Sequence, residues 1–120
     1  ASATSDFIAN LALWEGNRKR LISRTRRILT ENWPILERWY EDHSDAFSYV
    51  KPKAGAISFA KYRANVNSTA IAERLVKEKS VLVIPGDHFL IDGHMRIGYG
   101  SNASHLETSL ALVADLFETL

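Results

Sequence analysis

Apolar positions along the first third of the chain recur at helical spacing. Phe7, Ile8, Leu11 and Trp14 form one such group, which predicts a first helix because residues three and four apart share a helix face. Thr4 or Ser5 can cap its start, and Asp6 falls in the first turn, where the helix dipole favours an anion. Gly16-Asn17 interrupts the pattern and predicts a junction, since both residues are poor helix formers and tolerate left-handed backbone angles. A longer helix is predicted over 18–42. Leu21, Ile22, Ile28, Leu29, Trp33, Leu36, Trp39 and Tyr40 make its apolar stripe, with charged residues between them. Pro34 lies inside it and predicts a kink or a restart, because proline removes one backbone hydrogen bond.

The period then changes. Phe47 to Val50 reads as a short strand, 51–55 as a turn, and 56–62 as a second strand rich in β-formers, together a hairpin. Asn67-Ser68 can cap a short amphipathic helix carrying Ile71, Leu75 and Val76. Val81-Leu82-Val83-Ile84 is a continuous apolar run, the pattern of a buried central strand, and Pro85-Gly86 ends it. A loop over 87–93 leads to an alternating strand, 95–99. Gly100 ends that strand, and Ser101 or Asn102 caps a last helix bearing Leu106, Leu110, Leu112, Val113, Leu116 and Phe117. Helix, helix, strand, strand, helix, strand, strand, helix is the order of one α+β domain. It has a small, mainly antiparallel sheet of about four strands, helices packed on that sheet, and a long helix in front.

Composition narrows the function classes. At 120 residues with 46% hydrophobic and 24% charged positions, the chain is long and apolar enough for a core of its own. It has no cysteine, which excludes disulfides and thiolate metal sites. The four histidines, His43, His88, His94 and His105, show no compact metal-ligand spacing, so no metal is expected. A net charge of +1 gives no global pull toward nucleic acid or lipid. No apolar run approaches the ~20 residues that cross a bilayer, and a cytoplasmic location is expected. Six of the ten residues from Arg18 to Arg27 are nonetheless basic. They run around the helix rather than along one stripe, which reads as a solvated face. The rival reading is an independent module that binds nucleic acid or an acidic protein through this segment.

Three segments in order carry a resemblance. Pro52-Lys53-Ala54-Gly55-Ala56-Ile57-Ser58-Phe59 resembles the proline–glycine–aromatic hairpin in the small domain of class I/II aminotransferases. Val83-Ile84-Pro85-Gly86-Asp87-His88-Phe89 resembles that family's strand running into Pro-Gly and a nearby Phe. His94-Met95-Arg96-Ile97-Gly98 resembles the strand bearing its substrate-binding arginine. The resemblance implies the C-terminal small domain of a fold type I pyridoxal-phosphate enzyme, with 1–16 belonging to the large-domain side. It further implies a homodimer in the full-length enzyme. The substrates would be an amino acid and a 2-oxo acid. The cofactor, pyridoxal 5′-phosphate, would be held by a lysine of the large domain. Lys19, Lys51, Lys53, Lys61, Lys77 and Lys79 stand in no motif like that lysine's, so this piece alone is expected to be inactive and to hold no catalytic residue.

By the resemblance, Arg96 binds the substrate α-carboxylate, Ala54 and Gly55 line the substrate site, and Phe89 and His88 are candidate pocket walls. The chemistry suits Arg96, since a guanidinium fork meets a carboxylate with two parallel hydrogen bonds and the strand is a rigid mount. Such a grip can hold the Cα–H bond upright to the cofactor ring, which serves as electron sink. Read from pattern alone, Arg96 is a strand arginine paired with a surface acid, Pro85-Gly86 a strand terminator and His88 a solvated loop histidine, while Gly55 is equally a plain turn residue. Phe89 can also be a simple anchor for its loop. Phe7, Ile8, Leu11 and Trp14 are expected to be exposed, as a patch that meets the large domain or another copy.

Overall fold

The computed structural model describes residues 2–120. Helix α1 (Ala3–Leu13) starts two or three residues earlier than the sequence suggests, capped by Ser2 rather than Thr4 or Ser5, with the Ser2 hydroxyl accepting the Ser5 N–H at 3.2 Å. It buries no residue, and Phe7, Ile8, Leu11 and Trp14 are all exposed, as expected. The chain breaks at Trp14, not at Gly16-Asn17. Gly16 and Asn17 lie in the first turn of α2 (Glu15–Asp42), where the Asn17 amide donates to the Leu11 carbonyl at 2.7 Å. The asparagine thus marks the junction by satisfying an unpaired carbonyl at the end of α1.

Of the expected kink or restart at Pro34, the restart does not occur, and helix α2 runs through the proline as one element. Buried residues on both sides of the proline anchor it: Asn32 before, Leu36, Trp39 and Tyr40 after. The lost hydrogen bond falls on the exposed side, where water can serve the freed carbonyl.

The sheet has four strands, β1 (Phe47–Ser48), β2 (Ile57–Tyr62), β3 (Ile84–Pro85) and β4 (His94–Gly98), in the order β1-β2-β4-β3, each pair antiparallel. The expected hairpin is present, with Phe47 opposite Tyr62. The expected central strand is not. Val81 to Ile84 yields only a two-residue edge strand, and Leu82 is 81% exposed. Pro85 carries no N–H, which suits an edge and not a centre.

Alternation divides the two central strands into faces. Ser58, Ala60 and Tyr62 on β2, with Met95 and Ile97 on β4, are buried. They meet α2, α3 (Ser68–Lys79) and α4 (Ala103–Phe117) in a core that includes Leu36, Ile71, Leu75, Leu110 and Leu116. Each fully buried leucine contributes about 2 kcal/mol by leaving water. Two buried polar links join α2 to the sheet. The Tyr40 hydroxyl donates to Ser58 Oγ at 2.9 Å, and burial pushes that phenol up to about 12. Asn32 Nδ2 donates to the Tyr99 and Ser101 carbonyls at 2.8 and 2.7 Å. The opposite sheet face bears Ile57, Phe59, Lys61, His94 and Arg96, all exposed or half-buried.

Candidate functional site

That open face holds the candidate site. Arg96 stands directly opposite Phe59 on β2 and opposite Ile84 on β3. It is half-buried, and among the described residues no carboxylate pairs with it. The reading of Arg96 as one half of a surface ion pair therefore has no partner to name. Phe59 is the centre of an aromatic group. The His94 ring stacks on it at 5.1 Å and 15°, and Phe89 meets it edge-on at 5.9 Å and 86°. Both geometries are favourable for aromatic pairs. The structure thus brings Phe89 beside the cross-strand neighbour of Arg96.

Phe89 ends the short 3-10 turn Gly86–Phe89, and the way this turn is held explains the position of the ring. Gly86 is buried, and a Cβ there would come within 2.2 Å of the Ile91 carbonyl and 2.7 Å of the His94 carbonyl. The backbone therefore turns where only glycine fits. Leu90 follows with φ +61°, a strained angle for a leucine, and its N–H donates to the Asp87 carbonyl at 2.9 Å.

Two carboxylates tie this loop to the start of α3. Asp92 Oδ1 accepts the Ser68 N–H at 2.8 Å, and Asp92 Oδ2 accepts the Asn67 amide at 3.1 Å. Asp87 accepts the Thr69 hydroxyl at 2.7 Å and the same Asn67 amide at 3.1 Å, while its own N–H donates to Ser68 Oγ at 3.0 Å. Bonds from the Ser68 backbone and side chain hold the Asp92 carboxyl down at about 2. The Thr69 hydroxyl, then Asn67 and Ser68, lower Asp87. The positive end of α3 favours both charges.

The other candidates lie apart from this group. Ala54 and Gly55 are exposed in the turn before β2, and Gly55 takes φ +83°, which glycine permits. The Gly55 carbonyl accepts the Tyr99 hydroxyl at 2.7 Å, which fastens the turn to the residue just after β4. Ala54 and Gly55 line a cavity of about 720 Å³ with Arg26, Trp33, Lys51 and Tyr99, on the α2 side and without Arg96. His88 is exposed, and its ring has no hydrogen-bond partner among the described residues. Arg18, Arg20, Arg24, Arg26 and Arg27 are exposed, and Lys19 pairs with Glu15 at 2.7 Å. No helix is long and apolar enough to cross a membrane.

Sequence reasoning passed over Phe59 and His94 as site residues, although both stand in the segments that carry the resemblance. Their signal is alternation: each shares the parity of its strand that faces away from the core, as Arg96 does.

The comparisons with known proteins agree with this architecture. The family model for class I and II aminotransferases matches residues 1–112. Capreomycidine synthase of Streptomyces vinaceus is 32% identical over 81 residues, covering 68% of this chain and 21% of that protein. A PLP-dependent aminotransferase from Streptococcus suis superposes with a TM-score of 0.91 at 29% identity, over 99% of this chain and 31% of that one. An aromatic aminotransferase from Pyrococcus horikoshii, at 22% identity and TM-score 0.78, shares the fold over 92% of this chain and 30% of its own. The chain thus spans about a fifth of the curated relative and under a third of these solved structures. With the family model covering nearly its whole length, this chain belongs to the class I and II aminotransferases.

Proposed function

We propose that this chain is the small domain of a pyridoxal-phosphate-dependent aminotransferase, and that Arg96 binds the α-carboxylate of the amino acid or 2-oxo acid. The observation that supports this reading is an arginine with no acidic partner among the described residues, half-buried on a strand and set opposite a phenylalanine. A guanidinium there offers a planar fork to a carboxylate. Phe59, its cross-strand neighbour, and Phe89, packed edge-on against Phe59, put apolar surface on the same sheet face. Arg96 then orients the substrate, and the cofactor supplies the electron sink.

The lysines of this chain do not fit the cofactor's anchor. Such a lysine needs a desolvated or cation-flanked setting. Lys19, Lys51 and Lys79 pair with Glu15, Glu37 and Asp115, and Lys53, Lys61 and Lys77 are exposed. In this reading the anchor lies in a large domain outside these 120 residues. Helix α1, with its exposed Phe7, Ile8, Leu11 and Trp14, packs against that domain, and the whole enzyme is a homodimer.

In the whole enzyme, Arg96→Lys is expected to lower kcat/KM for the amino acid about 100-fold, with bound cofactor per protomer unchanged. Equal loss of turnover and of cofactor argues against the carboxylate role. The 120-residue chain mixed with pyridoxal phosphate and borohydride is expected to give no stoichiometric adduct. An adduct on one lysine contradicts an anchor elsewhere.

A further inference from the structure

We infer that this chain pairs with a second copy of itself, each copy laying the basic first half of α2 into a groove between α2 and α4 of the other. The inference does not depend on the role of Arg96, because the groove shares no residue with the open sheet face.

The groove has a volume of about 510 Å³, and Ile35 and Trp39 of α2 with Leu110, Ala111 and Ala114 of α4 give it an apolar floor. The two alanines let another helix come close, since the distance between helix axes follows side-chain size. The rim is acidic. Asp42, Glu107 and Glu118 are exposed and make no ion pair among the described residues, while Asp115 is already paired with Lys79. These carboxylates outnumber the one unpaired guanidinium beside them, Arg38.

The complement lies on the same helix. No described residue of α2 before Asn32 is buried, and Leu21 is 47% exposed. Most helical stability in proteins comes from packing an apolar face, and this half of α2 has little of it within the chain. Arg20, Arg24 and Arg27 are exposed and make no ion pair among the described residues. Leu21, Arg24 and Ile28 stand on the same side of α2 as Ile35, Arg38 and Asp42, because steps of three, four and seven residues join them. Arg20 and Arg27 flank that line. One face of α2 therefore carries a basic half with apolar residues and, beside α4, an acid-rimmed apolar groove.

Symmetry makes the two halves fit. Copies set antiparallel about a twofold axis near the middle of α2 bring basic half to acidic groove twice over, an isologous contact that closes at two. Leu21 and Ile28 then meet the groove floor, and Arg20, Arg24 and Arg27 face the carboxylates of its rim. Each rim pair contributes little alone, and burial of the apolar side chains adds the larger share. The charges select the arrangement, since a parallel pair would set basic half against basic half.

Sedimentation of the 120-residue chain, which has a buried core of its own, tests this. A dimer is expected at about 50 µM protein in low salt, with its affinity falling at least about tenfold by about 0.5 M salt. One variant combines Asp42→Lys, Glu107→Lys and Glu118→Lys, and another combines Arg20→Glu, Arg24→Glu and Arg27→Glu. All these positions are exposed, so both variants should keep the helical circular dichroism of the unmodified chain. Each should be monomeric alone, because its groove rim and its first half of α2 now carry the same sign. An equal mixture of the two should restore a dimer with one copy of each. A monomer at about 200 µM in low salt overturns the inference, since a contact this weak would hold few copies together. So does a dimer that survives either set of reversals, which places the contact on another face such as α1, and so does a mixture that stays monomeric.

Discussion

Asp92 accepts the backbone N–H of Ser68 at 2.8 Å, and this one bond couples the loop before β4 to the first turn of α3. A helix start has backbone donors without partners, and a carboxylate from elsewhere in the chain fills one of them here. The consequence is a pH dependence. Asp92 has a folded value near 2, below its ordinary 3.8. A group lowered on folding stabilises the fold fully above its unfolded value, and that contribution fades as pH falls through the folded one. Urea unfolding midpoints should therefore drop between about pH 4 and pH 2 in the unmodified chain. In Asp92→Asn the drop over that window should be smaller, because the amide does not titrate. Parallel curves for the two proteins would show that the carboxylate charge is not what ties the loop.

The same loop depends on Gly86 for space rather than for an unusual φ. A methyl group there meets two main-chain carbonyls, of Ile91 and His94, at 2.2 and 2.7 Å. Backbone cannot swing aside as a side chain does, so Gly86→Ala should cost about 1–3 kcal/mol, the usual range for overpacking. Gly55→Ala provides the contrast, since its Cβ would find open space and meet only the positive φ. That change should cost about 1 kcal/mol. Chemical denaturation of both variants decides the point, and Gly55→Ala being the worse of the two would refute it.

Much of this arrangement was legible in the sequence because it follows from local rules. Helical spacing of Leu36, Trp39 and Tyr40 marked the buried side of α2, and alternation in 95–99 separated Met95 and Ile97 from Arg96, which the structure sets on opposite faces. The failures have a common physical cause. Val81 to Ile84 has the composition of a central strand, yet its place in the sheet is decided by pairing partners far along the chain, and Pro85 cannot extend a ladder on both sides. Pro34 reads as a kink or a restart, yet tertiary packing on both sides of it holds one helix without a restart. The cluster of Phe59, Phe89 and His94 was out of reach for the same reason. It exists only because β2 and β4 pair in one register and the Gly86–Phe89 turn folds back over them.

Asn32 shows how a single buried amide can set the exit of the strand that bears the site. Its Nδ2 donates to two carbonyls, of Tyr99 and Ser101, that lie just past β4 and just before α4. Tyr99 is buried and Ser101 exposed, so without Asn32 the Tyr99 carbonyl is the acceptor left facing the inside of the protein. Removing the donor strands the Tyr99 carbonyl, and an unsatisfied buried group costs about 1–3 kcal/mol. Asn32→Ala should therefore destabilise the chain by about 1–3 kcal/mol. Asn32→Asp tests whether donation is the reason. It keeps the size of the side chain but turns an acceptor toward two acceptors, so it should be at least as harmful as alanine near neutral pH. If Asn32→Asp folds with unmodified stability in thermal and urea melts, then shape alone, and not the two hydrogen bonds, holds the end of β4 against α2.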